Sequence, residues 1–110
     1  DVPAALAAFA DDIEWSEPEG YPLGGTVVGP QAVLEDVFMR LGEIGDHFAV
    51  MPERFVADGD TVVALGHLSW KHKDTGAPAS VKTAHVWTFR DGKAASFQQH
   101  TDTARVRELS

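Results

Sequence analysis

The sequence predicts an α+β domain, with helices segregated to one face of a curved antiparallel sheet. Three observations carry that prediction. Helical spacing is confined to the chain before Gly45 and to a short tail after Asp102. The long stretch between them is strand-like and is cut by tight-turn signals at Asp58-Gly59-Asp60, Asp74-Thr75-Gly76 and Asp91-Gly92. The chain has 110 residues, of which 44% are hydrophobic, which is one folded domain's worth. A domain of this size buries roughly 65% of its unfolded surface, enough for one core and one pocket.

Residues 1–10 are predicted helical: Asp1 is placed to cap, Pro3 falls in the first turn, and the alanines favour the helix. Asp11-Asp12 is expected to end it. Residues 13–17 form a short extended run stopped by Pro18, and the Gly/Pro-rich residues 18–29 are expected to be loop. A second helix starts at Gly29-Pro30, since proline suits the first helical position. Val33, Leu34, Val37, Phe38 and Leu41 give it one apolar face, and Gly42 and Gly45 end it.

Residues 48–57 are a strand carrying Pro52, which points to a bulge or a sheet edge. Thr61–Lys71, residues 79–90 and Lys93–Thr101 are the remaining strands, and residues 103–109 a helical tail. Thr61–Lys71 is apolar on both faces: Val62 and Trp70 share one parity, Val63 and Leu65 the other. Such a strand is covered on both sides. The helices cover one; the other is expected to be covered by a second copy of the chain, and a loop lying over it would give the same pattern.

The net charge is −8, from 17 acids against 9 bases. An acidic chain repels phosphate backbones, so neither nucleic acid nor an anionic membrane is an expected partner. There is no cysteine, which excludes disulfides, thiol catalysis and Cys-ligated zinc and fits a cytoplasmic setting. No apolar run approaches the roughly 20 residues of a membrane helix, and no signal sequence is expected. The chain opens at Asp1 rather than methionine, so its first helix is expected to be incomplete.

Five stretches, in this order, resemble one family. They are Phe9-Ala10-Asp11-Asp12-Ile13-Glu14-Trp15-Ser16-Glu17-Pro18, Gly29-Pro30-Gln31-Ala32-Val33, Phe55-Val56-Ala57-Asp58-Gly59-Asp60, His85-Val86-Trp87-Thr88-Phe89-Arg90-Asp91-Gly92-Lys93 and Gln99-His100-Thr101-Asp102-Thr103. Together they resemble SnoaL-like and ketosteroid-isomerase-like domains of the nuclear transport factor 2-like superfamily, over nearly the whole chain. The resemblance implies a cone-shaped, strongly bent sheet closed by helices, an apolar pocket in its mouth, and frequent homodimers. It does not fix the reaction: members include isomerases, polyketide cyclases, epoxide hydrolases, dehydratases and binding modules.

In the isomerases the general base is a carboxylate just before a proline, and Glu17-Pro18 stands at the matching spacing after Ala10-Asp11-Asp12. Here it is Glu rather than Asp. Trp15 shares its parity, and a carboxylate beside an indole is partly desolvated, which raises its pKa toward that of a useful base. His85 shares a strand face with Trp87 and Phe89. It falls, with a one-residue gap, where the isomerases carry a protonated Asp that donates to the oxyanion, so it is a candidate oxyanion donor or base. Asp102 matches the acid/base carboxylate of the cyclases, but it is also a good N-cap for the tail. The only tyrosine, Tyr21, sits in the Gly/Pro loop, so the isomerases' second oxyanion donor is unmatched. No interior arginine supports the epoxide-hydrolase arrangement. The five histidines lack ligand spacing, so neither metal nor cofactor is expected.

Parity and helix face nominate Trp15, Phe38, Leu41, Phe55, His67, Trp87 and His100 as pocket lining, suited to a small, flat hydrophobic ligand. The expected function is cofactor-independent proton transfer next to a carbonyl, with Glu17, His85 and Asp102 as catalytic candidates. The alternative is a binding module with the same pocket and no turnover.

Overall fold

The computed structural model describes residues 2–110; the expected cap at Asp1 lies outside them. The chain runs α1 (Val2–Ala7), β1 (Phe9–Glu17), β2 (Gly25–Val28), α2 (Pro30–Asp36), a 3-10 helix (Phe38–Glu43), β3 (Asp46–Asp58), β4 (Thr61–Lys71), β5 (Pro78–Arg90), β6 (Lys93–Thr101) and α3 (Thr103–Leu109). The described residues form an α+β domain around one six-stranded sheet of order β2-β1-β6-β5-β4-β3. Neighbouring strands are antiparallel except β1 and β6, which pair in parallel, Trp15 beside Phe97. The sheet is therefore mixed, where a wholly antiparallel one was expected. Turn signals announce hairpins between consecutive strands, but no local signal marks the pairing of the first strand with the last.

Phe9 to Asp12 belong to β1 rather than to the first helix. Phe9 is buried against Trp15, Phe38 and Trp87, and that aromatic packing outweighs the alanines' helix propensity. Thr26-Val27-Val28, expected as loop, forms most of β2 and pairs with β1. Gly29 then turns the chain into α2 at φ 93°, a value that favours glycine. The second helix is two pieces: Val37, at φ −121°, breaks it, and Phe38–Glu43 winds on as a 3-10 helix. β3 is an edge strand with a register shift between Pro52 and Arg54, as Pro52 implied. Gly66 in β4 faces that bulge, where a Cβ would stand 2.1 Å from the Met51 carbonyl oxygen.

Two buried clusters form the interior. One joins Tyr21, Leu23, Ile44, Leu68, Trp70, Ala79, Val81 and Val106, and the other Phe9, Ile13, Trp15, Val33, Val37, Ala94 and Phe97. Trp70, Leu68 and Ala64 bury the inner face of β4. Its outer face is bare among the described residues: Val63 and Leu65 are half-exposed beside Val56 and Val86. No helix among the described residues is long and apolar enough to cross a membrane.

Candidate functional site

A cavity of about 280 Å³ opens between the two clusters. That volume is at the small end for ligand sites. Phe9, Trp15, Phe38, Trp87 and Phe97 line one part of it, and Tyr21, Leu41, Phe48, Val50 and Leu68 another. Trp15 stacks on Phe97 at 3.8 Å between ring centroids and meets Trp87 edge-on at 5.7 Å. Its polar wall is Glu17, His85, Gln99 and Tyr21.

The strands place that wall. Glu17 ends β1 on the inward parity of Trp15, and His85 on β5 pairs directly with Gln99 on β6. The Gln99 amide nitrogen donates to Glu17 Oε1 at 2.6 Å and stands 3.3 Å from Oε2. Its carbonyl oxygen accepts from Nε2 of His85 at 2.9 Å and from the Thr83 hydroxyl at 3.2 Å. When Glu17 is ionised its carboxylate can only accept, which sets the amide nitrogen toward Glu17 and the amide oxygen toward His85. In that arrangement the proton of neutral His85 lies on Nε2. The Trp15 indole N–H approaches Glu17 Oε2 at 3.4 Å.

Glu17 is 8% exposed. Burial lifts its carboxyl from 4.5 to about 7, against the opposing pull of the Trp15 and Gln99 donors. Burial also depresses His85, which favours the neutral ring. Tyr21 is pushed up by burial and by the Glu17 charge, with the Gln99 amide acting against them, so its hydroxyl keeps its proton. The site thus holds a carboxyl poised near neutrality, a phenol donor and a neutral imidazole in an apolar chamber. Among the described residues, no group of three or more His, Asp or Glu side chains is placed to hold a metal ion.

The SnoaL-like domain model matches residues 1–97. The chain belongs to the SnoaL-like family. The fold is shared with an NTF2-like protein from Burkholderia thailandensis at 36% identity and TM-score 0.92, covering 99% of this chain and 84% of that one. An NTF2-like protein of unknown function from Burkholderia pseudomallei is 35% identical over 99% and 84% of the two chains, at TM-score 0.83. TerC, co-crystallized with polyporic acid, is 32% identical over 99% of this chain and 85% of its own, at TM-score 0.90. No curated protein matches the chain.

Within this SnoaL-like domain, the candidates Glu17, His85, Trp15, Phe38, Leu41 and Trp87 meet at the cavity. Four expected residues do not. Asp102 caps α3, accepting from the Arg105 amide at 3.0 Å, and its side chain is exposed. Phe55 is 64% exposed because edge strand β3 carries it beyond the packed interior. His67 pairs with Met51 and Lys82, and His100 with Ala84, so both take the outward parity. They line a broader, shallow depression of about 540 Å³ with Glu53, Arg54 and Lys82, open to solvent and away from Glu17. His100 and Asp102 share the outward parity of β6, so the inward pair Gln99 and Phe97 lies on the face those candidates did not mark. Phe97 was the available signal: the one aromatic side chain of that strand marks its inward face. Tyr21 had no periodic signal at all.

Proposed function

We propose that this SnoaL-like domain is a cofactor-independent enzyme moving a proton next to a carbonyl of a small hydrophobic ligand, by isomerase or cyclase-type chemistry. The carrying observation is Glu17: a carboxyl poised at about 7, on the wall of an aromatic chamber. A base with that affinity takes a proton at neutral pH and gives it back. Tyr21 supplies the donor for the developing oxyanion, because neutral His85 has its one N–H committed to Gln99. Trp15, Phe38 and Trp87 hold the flat ligand. TerC, the relative co-crystallized with polyporic acid, supports a small organic ligand for the chamber.

The test is hydrogen–deuterium exchange of 2-tetralone in D₂O, followed by NMR at the carbon beside the carbonyl. The domain is expected to accelerate exchange, and Glu17→Gln to remove about a hundredfold or more of that acceleration while 2-tetralone still binds. Binding without exchange by the unmodified protein would instead establish the non-catalytic binding module.

We propose also that two copies pair through the outer faces of β3, β4 and β5. Val56, Val63, Leu65 and Val86 make an apolar centre there, rimmed by both signs of charge: Glu53, Arg54 and Lys82. A rim carrying both signs lets a two-fold axis set acid against base, on a chain whose overall charge of −8 would otherwise repel a copy of itself.

A further inference from the structure

One hydrogen-bonding position in the chamber belongs to His85 and is not satisfied by the protein. Its Nε2 bond to Gln99 is the one hydrogen bond that ring makes among the described residues. Nδ1 therefore carries a lone pair with no protein donor. No buried, sealed side-chain nitrogen or oxygen among the described residues lacks a partner, so Nδ1 is open rather than walled in. His85 itself is 5% exposed and lines the cavity, with the Phe97 ring edge-on at 4.8 Å between centroids. The opening is thus into an apolar chamber rather than onto the surface.

We propose that the chamber selects ligands bearing a hydroxyl as well as a carbonyl, and that Nδ1 of His85 receives that hydroxyl proton in a hydrogen bond. Tyr21 offers a donor, which a carbonyl satisfies; His85 offers an acceptor, which a carbonyl cannot satisfy. A ligand without a donor strips water from Nδ1 and returns nothing, the costly half of hydrogen-bond exchange. The matching class is a phenol, a hydroxyketone or an enolised 1,3-dicarbonyl on a flat ring. This specifies the substrate class of the reading above and rests on the same chamber. It makes His85 a specificity residue that contacts ligand, with Gln99 setting its tautomer.

The experiment is calorimetric titration of the protein with 2-naphthol and with 2-methoxynaphthalene, which keeps the ring and the oxygen but has no donor. The unmodified protein is expected to bind 2-naphthol about tenfold more tightly. His85→Phe should reduce that preference to about twofold or less, read as the ratio of the two affinities in the same variant. Equal affinities in the unmodified protein, or a preference that survives His85→Phe, would overturn the proposal. A second measurement needs no variant. In ¹⁵N-labelled protein, the Nδ1 resonance of His85 should shift with 2-naphthol and stay in place with 2-methoxynaphthalene; an Nδ1 indifferent to both overturns the proposal. Failure here alongside successful 2-tetralone exchange removes only the hydroxyl requirement. If neither naphthalene binds and 2-tetralone is not exchanged, both readings fall.

Discussion

Gln99 and Glu17, 82 residues apart in sequence, are joined by a 2.6 Å hydrogen bond from amide nitrogen to carboxyl oxygen. Parallel pairing of β1 with β6 makes that bond, and the same amide turns its oxygen to His85. One neutral side chain thereby orients two of the chamber's titratable groups, Glu17 and His85. This is a positioning role, acting through its neighbours rather than on the ligand.

Replacing that amide should move a pH profile, not only a rate. The Gln99 donor holds the Glu17 carboxyl below where burial alone would put it. In Gln99→Leu the carboxyl is therefore expected to titrate above about 7. The pH dependence of 2-tetralone exchange should shift to the alkaline side, and the His85 ¹⁵N spectrum should show a mixture of tautomers. A lower rate on an unmoved profile, with the Nε2-protonated tautomer intact, would reduce Gln99 to ordinary packing.

Glu17 should also weaken the fold as pH rises. Its folded carboxyl titrates at about 7 against an ordinary 4.5, so the folded state holds this proton more tightly than the unfolded chain. Below the unfolded value both states are protonated and the group contributes nothing. Between 4.5 and about 7 the unfolded chain ionises first and stability falls. Above that window the loss is complete, on the order of 3 kcal/mol. His85 works in the opposite sense, since its depressed folded pKa costs stability as pH falls through the ordinary histidine range. Comparing Glu17→Gln with the unmodified protein at each pH cancels that second contribution. Thermal melts should give the variant little advantage at pH 4 and a clear one at pH 8. An advantage of the same size at both would mean that Glu17 is not held neutral by its surroundings.

What the sequence made legible divides by range. β4, β6 and α3 fall where turn chemistry and periodicity placed them, because Asp58-Gly59-Asp60, Asp91-Gly92 and the Asp102 cap are local signals. The parallel β1–β6 contact has no local signature, and it is the contact that brings Gln99 to Glu17. Tyr21 was hidden for a related reason. Its amide bonds the Pro18 carbonyl at 2.9 Å and its carbonyl takes the Gly24 amide at 2.9 Å. Two tight turns thus fold a loop residue into the core at 2% exposure, and no periodicity marks such a residue. On the strands, parity found Glu17, Trp15, His85 and Trp87. It does not place His67 and His100, whose in-register neighbours Lys82 and Ala84 share the outward face of the sheet.

The pairing of two copies is decided by the bare face of β4. Val63 stands in register with Val56 on one side and Val86 on the other, at the middle of the apolar patch, and none of the three is buried within the chain. A half-exposed valine in a monomer tolerates a charge at small cost, because water reaches it. The same charge inside an interface is desolvated without a partner and is strongly unfavourable. Val63→Glu should therefore separate folding from association. Sedimentation equilibrium is expected to give twice the chain mass for the unmodified protein, and a dissociation constant raised by about a hundredfold for the variant, with little change in melting of the isolated chain. A single-chain mass for the unmodified protein at every concentration would end the proposal. A dimer indifferent to Val63→Glu would move the interface off this face, and the apolar outer side of β4 would then need another cover.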